Sequence, residues 1–177
     1  VIEIQVSAQM RLSQLQPQIA PELFKLVDKN RAHLKTFLPW LDKNTIESDS
    51  LFFINLCIEN QKTTGNITFG IFLENKLIGL INYHYVDKTN KAAPMGYWMD
   101  IDHCGKGYIT QAALALIEYG FKQLNLNRIE IRCAVENIAS NSVAKKLNFK
   151  FEGQLRQAEW LYNKYVDHNI YSLLKSD

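Results

Sequence analysis

Apolar and polar positions change their period several times along this chain, and each change marks an element. Ile2, Ile4 and Val6 alternate with polar residues, the two-residue repeat of a strand. From Pro21 to Asn30 the apolar residues Leu23, Phe24, Leu26 and Val27 gather at helical spacing. A second helical region covers about 48–60 and carries Leu51, Phe52, Ile54, Leu56 and Ile58. Asp49 lies near its start, where a negative charge suits the helix dipole. Ile67–Leu73 and Leu77–Tyr85 flank Glu74-Asn75-Lys76 and predict a hairpin. A polar loop over 87–94 leads into an aromatic-rich strand, Met95 to Ile101.

The clearest helix follows, because Ala113, Leu116, Ile117, Gly120, Phe121 and Leu124 recur at three- and four-residue steps. Asn125 and Asn127 mark a turn, and Ile129, Ile131, Cys133 and Val135 then alternate with more polar neighbours, as a half-buried strand does. A short helix from about Ser140 to Leu147 packs through Val143, Ala144 and Leu147, and Asn148 suits its left-handed stop. Strands near Phe149–Gly153 and Asn169–Leu174 complete the order. Helices, an antiparallel meander, then strand-helix-strand-helix-strand predict an α+β fold with a mixed sheet flanked by helices. The expectation is one domain over residues 1–177, and the Val1 start fits a trimmed chain or a domain cut from a longer polypeptide.

Composition narrows the function classes. The chain has 177 residues, 47% hydrophobic and 21% charged, the balance of a globular domain with a real core. Its formal charge of +2 comes from scattered basic residues, so nucleic acid is not an expected partner. No apolar run has the length of a membrane span. Three widely spaced cysteines, Cys57, Cys104 and Cys133, argue against a disulfide framework and fit a reducing cytoplasm. The histidines have no metal-ligand spacing, so no metal is expected.

Asp102-His103-Cys104-Gly105-Lys106-Gly107-Tyr108 joins the aromatic strand to the clearest helix. A glycine turn entering a helix aims several backbone N–H groups at one point, and the helix dipole adds positive potential there. A Walker A loop would need a following Gly-Lys-Ser/Thr, and a dinucleotide fingerprint would need glycine where Thr110 stands. A phosphate cradle of another kind, or simply a tight turn, remain.

Tyr97-Trp98-Met99-Asp100, the Gly-Lys-Gly loop, Asn137-Ile138-Ala139-Ser140 and Leu147-Asn148-Phe149 together resemble the GNAT acetyltransferases. Asn30-Arg31-Ala32-His33-Leu34, Leu38-Pro39-Trp40, Phe151-Glu152-Gly153 and Gln157-Ala158-Glu159 are similar to the RimL-like branch, which acetylates ribosomal-protein N-termini. Cys104, Ile109 and Asn148 depart from the family's usual residues. The resemblance implies a GNAT fold, mostly antiparallel, with a splay between the strands near 95–101 and 128–135. It implies acetyl-CoA as cosubstrate, held by Trp98, Met99, Ile101, Gly105, Lys106, Gly107, Tyr108, Ile109, Thr110, Asn137 and Lys145. A homodimer is also what the family suggests.

Transfer of an acetyl group to an amine needs a neutral amine, a polarised thioester and a protonated leaving thiolate. The resemblance assigns Glu159 as general base and Ser140 as the acid toward the CoA sulfur. Alternatively, Glu159 is a solvated charge and Ser140 a helix cap. Direct attack by the amine is the expected route, since the motifs place no nucleophile. Cys104 is given no catalytic role. Trp40, Phe53 and Tyr83 are candidates for the acceptor side, with core packing the alternative for each. A Trp–Phe pair could sandwich a base, and the chain also resembles the RimL-like acetyltransferase domains of microcin C immunity, a resemblance that makes an aminoacyl-nucleotide antibiotic the leading acceptor. A ribosomal-protein N-terminal α-amine is the alternative, and a non-catalytic acetyl-CoA-binding module is the reading from another class.

Overall fold

A computed structural model describes residues 1–177. The strands β1 (Glu3–Gln5) and β2 (Met10–Gln14) open the chain and lead to helices α1 (Ala20–Lys29), α2 (Arg31–Lys35) and α3 (Glu47–Thr64). The meander β3 (Ile67–Leu73), β4 (Lys76–Tyr83) and β5 (Ala92–Met99) follows. Then come α4 (Tyr108–Lys122), β6 (Arg128–Ala134), α5 (Ile138–Lys146), β7 (Lys150–Leu161) and β8 (Lys164–Leu174). One 8-stranded sheet joins them in the order β1-β2-β3-β4-β5-β6-β8-β7. Every pairing is antiparallel except β5 with β6.

Helices cover both faces of the sheet. On one face α4 and α5 bury Ala112, Ala113, Leu116, Ile117 and Ala144 against Phe69, Ile81, Tyr83, Met95 and Ile131. On the other, α1–α3 bury Leu23, Leu26, Val27, Leu34 and Ile54 against Leu77 and Leu80. Asp49 acts as expected at the start of α3, where its carboxylate accepts from the backbone N–H groups of Thr45 and Ile46.

The structure corrects several expectations. Residues 10–14 form a strand, β2, and residues 31–35 a short helix, α2, that the pattern had not shown. β5 begins at Ala92, inside the expected polar loop, and ends at Met99, so Ile101 falls in a 3-10 turn. β7 and β8 run far beyond the short strands expected there. Ser140 does not cap α5; the Asn137 carboxamide does, accepting from the Ser140 N–H at 3.1 Å.

Tyr83 is the clearest correction among the site candidates. It is fully buried on the α4 face and donates from its hydroxyl to the Leu116 carbonyl at 2.8 Å. Burial pushes its phenol far up, so it is a neutral core group and not part of an acceptor surface. Its hydroxyl also explains Gly120 in mid-helix, since a Cβ there would lie 2.3 Å from that oxygen. Gly120→Ala is therefore expected to destabilise the fold by about 1–3 kcal/mol, although alanine is the better helix former by ~1 kcal/mol. In a Tyr83→Phe background that penalty should shrink, as measured by urea denaturation. An equal penalty in both backgrounds would contradict the contact.

Candidate active site

The parallel ladder of β5 and β6 runs only from Ala92–Arg128 to Met95–Ile131. Beyond that pair the strands separate, so Gly96–Met99 and Arg132–Ala134 face each other across an opening. Past Met95 the β5 edge has no ladder partner on this side, which leaves its backbone polar groups there to pair with a ligand, while the Ala134 carbonyl on the β6 side is taken by Asn137 and Asn141.

At the far end of β5 lies the glycine loop. Gly105 and Gly107 have φ of 74° and 80°, the left-handed region where a side chain is strained. A Cβ on either would meet nothing within 4 Å, so the turn needs glycine for its angle and leaves open space above it. Gly107 caps α4, and the first helical hydrogen bond is Gln111 N–H to the Gly107 carbonyl. The consecutive N–H groups from Gly105 through Thr110 donate to no acceptor in the protein. That row of free donors at a helix N-terminus is the chemistry a pyrophosphate needs. The Lys106 ammonium folds back onto the Asp102 carbonyl at 2.7 Å.

A buried carboxylate holds this loop. Asp100 is fully buried directly after β5. It accepts from Lys29 at 2.9 and 3.0 Å, from the Asn30 amide at 2.8 Å and from the His103 ring at 2.7 Å. Lys29 also reaches Asp102 at 2.6 Å, and the Asn30 carbonyl oxygen takes the Ile101 N–H at 2.8 Å. Burial opposes ionisation of Asp100, but the hydrogen bonds from Lys29, Asn30 and His103 outweigh it and hold the carboxyl down at about 2. The same bonds, Asp102 foremost, push the Lys29 ammonium up.

The expected cofactor residues divide by how they meet the opening. Trp98 is half-buried on the α1–α3 face, while the Met99 side chain is buried, leaving only its backbone at the lip. Ile101 is 51% exposed, but Asn30 takes its N–H and Cys104 its carbonyl, so it cannot extend the lip as a strand residue. Tyr108, Ile109 and Thr110 form the first turn of α4. Asn137 caps α5, and Lys145 lies exposed farther along that helix beside Ser142 and Asn169. Cys104 sits 3.8 Å from the His33 ring, and burial, with Asp100 nearby, pushes its thiol up, the reverse of an activated thiol.

Ser140 comes to the opening from α5. Its hydroxyl lies 3.2 Å from the Tyr97 hydroxyl, and Tyr97 donates to the Ser140 carbonyl at 3.3 Å. Tyr97 is a contact that the sequence reading quoted without a role. Glu159 arrives from β7 on the other face, 3.7 Å from the His168 ring. His168 pairs with Ala134, the last residue of the β6 lip.

A strap closes this second face. The Tyr162 hydroxyl, in the β7–β8 turn, donates to the Leu38 carbonyl and accepts from the Leu41 N–H at 3.3 Å. Lys35 lies over the Tyr162 ring at 4.5 Å. Trp40, held between these contacts, packs on Trp98 with ring centroids 6.3 Å apart and a 52° tilt. Phe53, on α3, is 36% exposed.

Acid should loosen the loop through Asp100. Its folded pKa of about 2 lies below the ordinary 3.8, so its stabilisation is fully present above the ordinary value and is lost as pH falls toward 2. Denaturation midpoints should therefore drop more steeply between pH ~4 and ~2 in the wild type than in Asp100→Asn. Parallel losses in the two proteins would show that Asp100 does not carry this linkage.

Comparison with known proteins agrees with this geometry. The acetyltransferase (GNAT) domain family matches residues 9–150. The ribosomal-protein-serine acetyltransferase of Escherichia coli (strain K12) is 35% identical over 169 residues, covering 96% of this chain and 94% of that protein. A solved structure of RimL, a ribosomal α-N-protein acetyltransferase, in complex with coenzyme A superposes with a TM-score of 0.94 at 32% identity, covering 98% of each chain. The microcin self-immunity acetyltransferase MccE, solved with acetyl-CoA and AMP, gives 0.91 at 29% identity over 96% of this chain and 94% of that one. With a splayed parallel pair, a cradle of free N–H groups and a family match over most of its length, the chain belongs to the GNAT acetyltransferases and is an acetyl-CoA-dependent N-acetyltransferase.

Proposed function

We propose that this protein, as one catalytic domain, acetylates the α-amine of a protein N-terminus of the ribosomal-protein type in the cytoplasm. The observation that carries this reading is the likeness to the ribosomal-protein-serine acetyltransferase over 96% of the chain. It reverses the order of acceptors expected from the sequence, since the nucleotide reading rests on one structural neighbour at 29% identity.

The parts divide the chemistry as follows. The N–H groups from Gly105 to Thr110 take the pyrophosphate of acetyl-CoA, and the arm runs back along the free lip of β5 toward Met95. From Gly96 to Met99 that lip is ~10 Å long at ~3.3 Å per residue, which brings the thioester toward the closed end of the splay. The Glu159 carboxylate, steadied by His168, accepts the proton of the incoming ammonium, directly or through water. The amine nitrogen bonds to the acetyl carbon, the carbon–sulfur bond breaks, Ser140 gives its hydroxyl proton to the departing thiolate, and the proton that the nitrogen sheds on becoming an amide restores the Ser140 hydroxyl through water. Tyr97, hydrogen-bonded to Ser140, holds that hydroxyl at the opening.

The second reading keeps an aminoacyl nucleotide as acceptor. It is favoured by the complex of MccE with AMP and by the Trp40 ring and exposed Phe53 on the α1–α3 side. An acceptor panel of Ser-starting peptides and aminoacyl nucleotides decides between them. Peptides should show the higher kcat/KM; preference for the nucleotide would overturn the first reading.

Two variants test the chemistry. Gly107→Val forces a β-branched residue into φ of 80° and should weaken CoA binding about tenfold or more while the protein stays folded. Glu159→Gln keeps the shape and removes the base, so kcat should fall on the order of a hundredfold with little change in CoA affinity. That loss should shrink as pH rises toward the ~8 pKa of a free α-amine. Wild-type turnover at neutral pH would remove Glu159 from the mechanism.

A further inference from the structure

Gly96 stands in the middle of a strand, where glycine is unfavourable unless something approaches the backbone closely. Its φ is not in the left-handed region, so the backbone angle does not require it. Space does. A Cβ on Gly96 would lie 2.6 Å from both Cε1 and Nε2 of His84 and 3.2 Å from the Asn82 side-chain oxygen. The His84 ring thus leans from the end of β4 across β5 and lies on the bare face of Gly96. Gly96 is the first residue past the Met95–Ile131 pair, at the apex of the splay.

The face is the acceptor's. Asn82 pairs with Gly96 and Leu80 with Trp98, so these residues share the side that carries Trp98, Trp40 and the strap. Ala134, His168 and Glu159 flank the same face across the opening. Helix α1 covers the Leu77–Leu80 half of β4, whereas His84 is exposed.

The ring's hydrogen bonding gives it a defined role. The Asn82 amide nitrogen lies 3.2 Å from Nδ1 and can only donate, so Nδ1 accepts and the proton resides on Nε2. Nε2 meets no acceptor in the protein. Packing against Gly96 and Asn82 strips part of the ring's solvation although its outer edge stays open to solvent, and this pushes the imidazole pKa down, so the ring is neutral at neutral pH. A fixed N–H therefore points over the apex of the splay with nothing to bond.

Resting on the N-terminal acetylation reading above, we infer that His84 is an acceptor-binding residue whose Nε2–H donates to the first peptide carbonyl of the acceptor. That oxygen lies within about 4 Å of the α-amine by covalent geometry alone, so an amine placed at the thioester brings it to the apex. Asn82 is the positioning residue that fixes the tautomer, and Gly96 is the clearance that lets the ring reach. A carbonyl held on this side turns the amine toward the thioester and the Glu159 side of the cleft.

The test uses the full chain, acetyl-CoA and a Ser-starting peptide. His84→Ala should raise the peptide KM roughly five- to twentyfold, leave the acetyl-CoA KM within about twofold, and leave the thermal midpoint near that of the wild type. His84→Gln, which returns an N–H donor of similar reach, should recover part of the loss. A peptide whose first peptide bond is replaced by an (E)-alkene should bind the wild type and His84→Ala equally weakly, a coupling that a merely structural role would not produce. Unchanged peptide KM in His84→Ala, or the same KM ratio for both peptides, would overturn the subsite while leaving the proposed function standing. Absence of peptide turnover by the wild type would overturn both.

Discussion

The opening between β5 and β6 depends on two polar nodes that pull the strands apart. Parallel neighbours tend to stay paired, since separating them leaves N–H and C=O groups without partners. Here the β5 lip is drawn toward α1 by Asp100, which gathers Lys29, Asn30 and His103 directly after the strand. The β6 lip is drawn the other way by Asn141. Its amide donates to the Ala134 and Asn137 carbonyls, and its oxygen accepts from Asn169 and Tyr171 on β8. Asp100 and Asn141 at the centre of these nodes are buried, and no buried side-chain polar atom lacks a partner, so each centre resists reorganisation. The candidate active site proposed above is the gap these anchors maintain.

The two faces of the gap differ in the chemistry they present. The α4–α5 side presents a helix N-terminus, free backbone donors and the Ser140–Tyr97 pair, all suited to a phosphorylated thioester. The α1–α3 side presents Trp98, Trp40, Glu159 and His84, suited to an amine with a chain behind it. Tyr162 ties the β7–β8 turn to the Leu38–Leu41 segment, so the C-terminal hairpin and the N-terminal helices close the acceptor side as a unit. The long hairpin is thereby fixed against the N-terminal helices, although most of β7 is solvent-exposed.

What could be read from the sequence follows how locally each feature is determined. The glycine turn, the alternation of β6 and the apolar stripe of α4 are written within a few neighbouring residues, and all were legible. The splay came only from the resemblance, since nothing local records where a ladder stops. β7 was cut short because an edge strand exposed on both sides carries no alternation to read, and residues 154–160 are mostly polar or exposed. Tyr83 misled because an amphipathic side chain in a strand fits a cleft wall as well as a core. Its burial is decided by Gly120 and Leu116 on a distant helix. The Asp100 node joins residues about seventy apart, so neither Asn30 nor Lys29 announces it.

The acceptor question turns on one aromatic contact. A base held between Trp40 and Phe53 needs a Trp40 face that stays open, because stacking of ~1–3 kcal/mol requires ring overlap. In this protein Trp40 already meets Trp98 in a tilted contact, and both rings pack on the apolar layer of α1–α3. That contact makes Trp40 a wall of the cleft, fixed by the strap on either side of it. A wall of this kind confines an extended chain as well as it confines a base. The groups that orient the reactive end are those with direction, the Glu159 carboxylate and the free His84 N–H. A peptide N-terminus offers an ammonium for the carboxylate and a carbonyl for the N–H. An aminoacyl nucleotide offers the same amine and carbonyl with a base beyond them. The reactive end of either acceptor is therefore read by the same pair, and selection between them falls to Phe53 and the open side of Trp40.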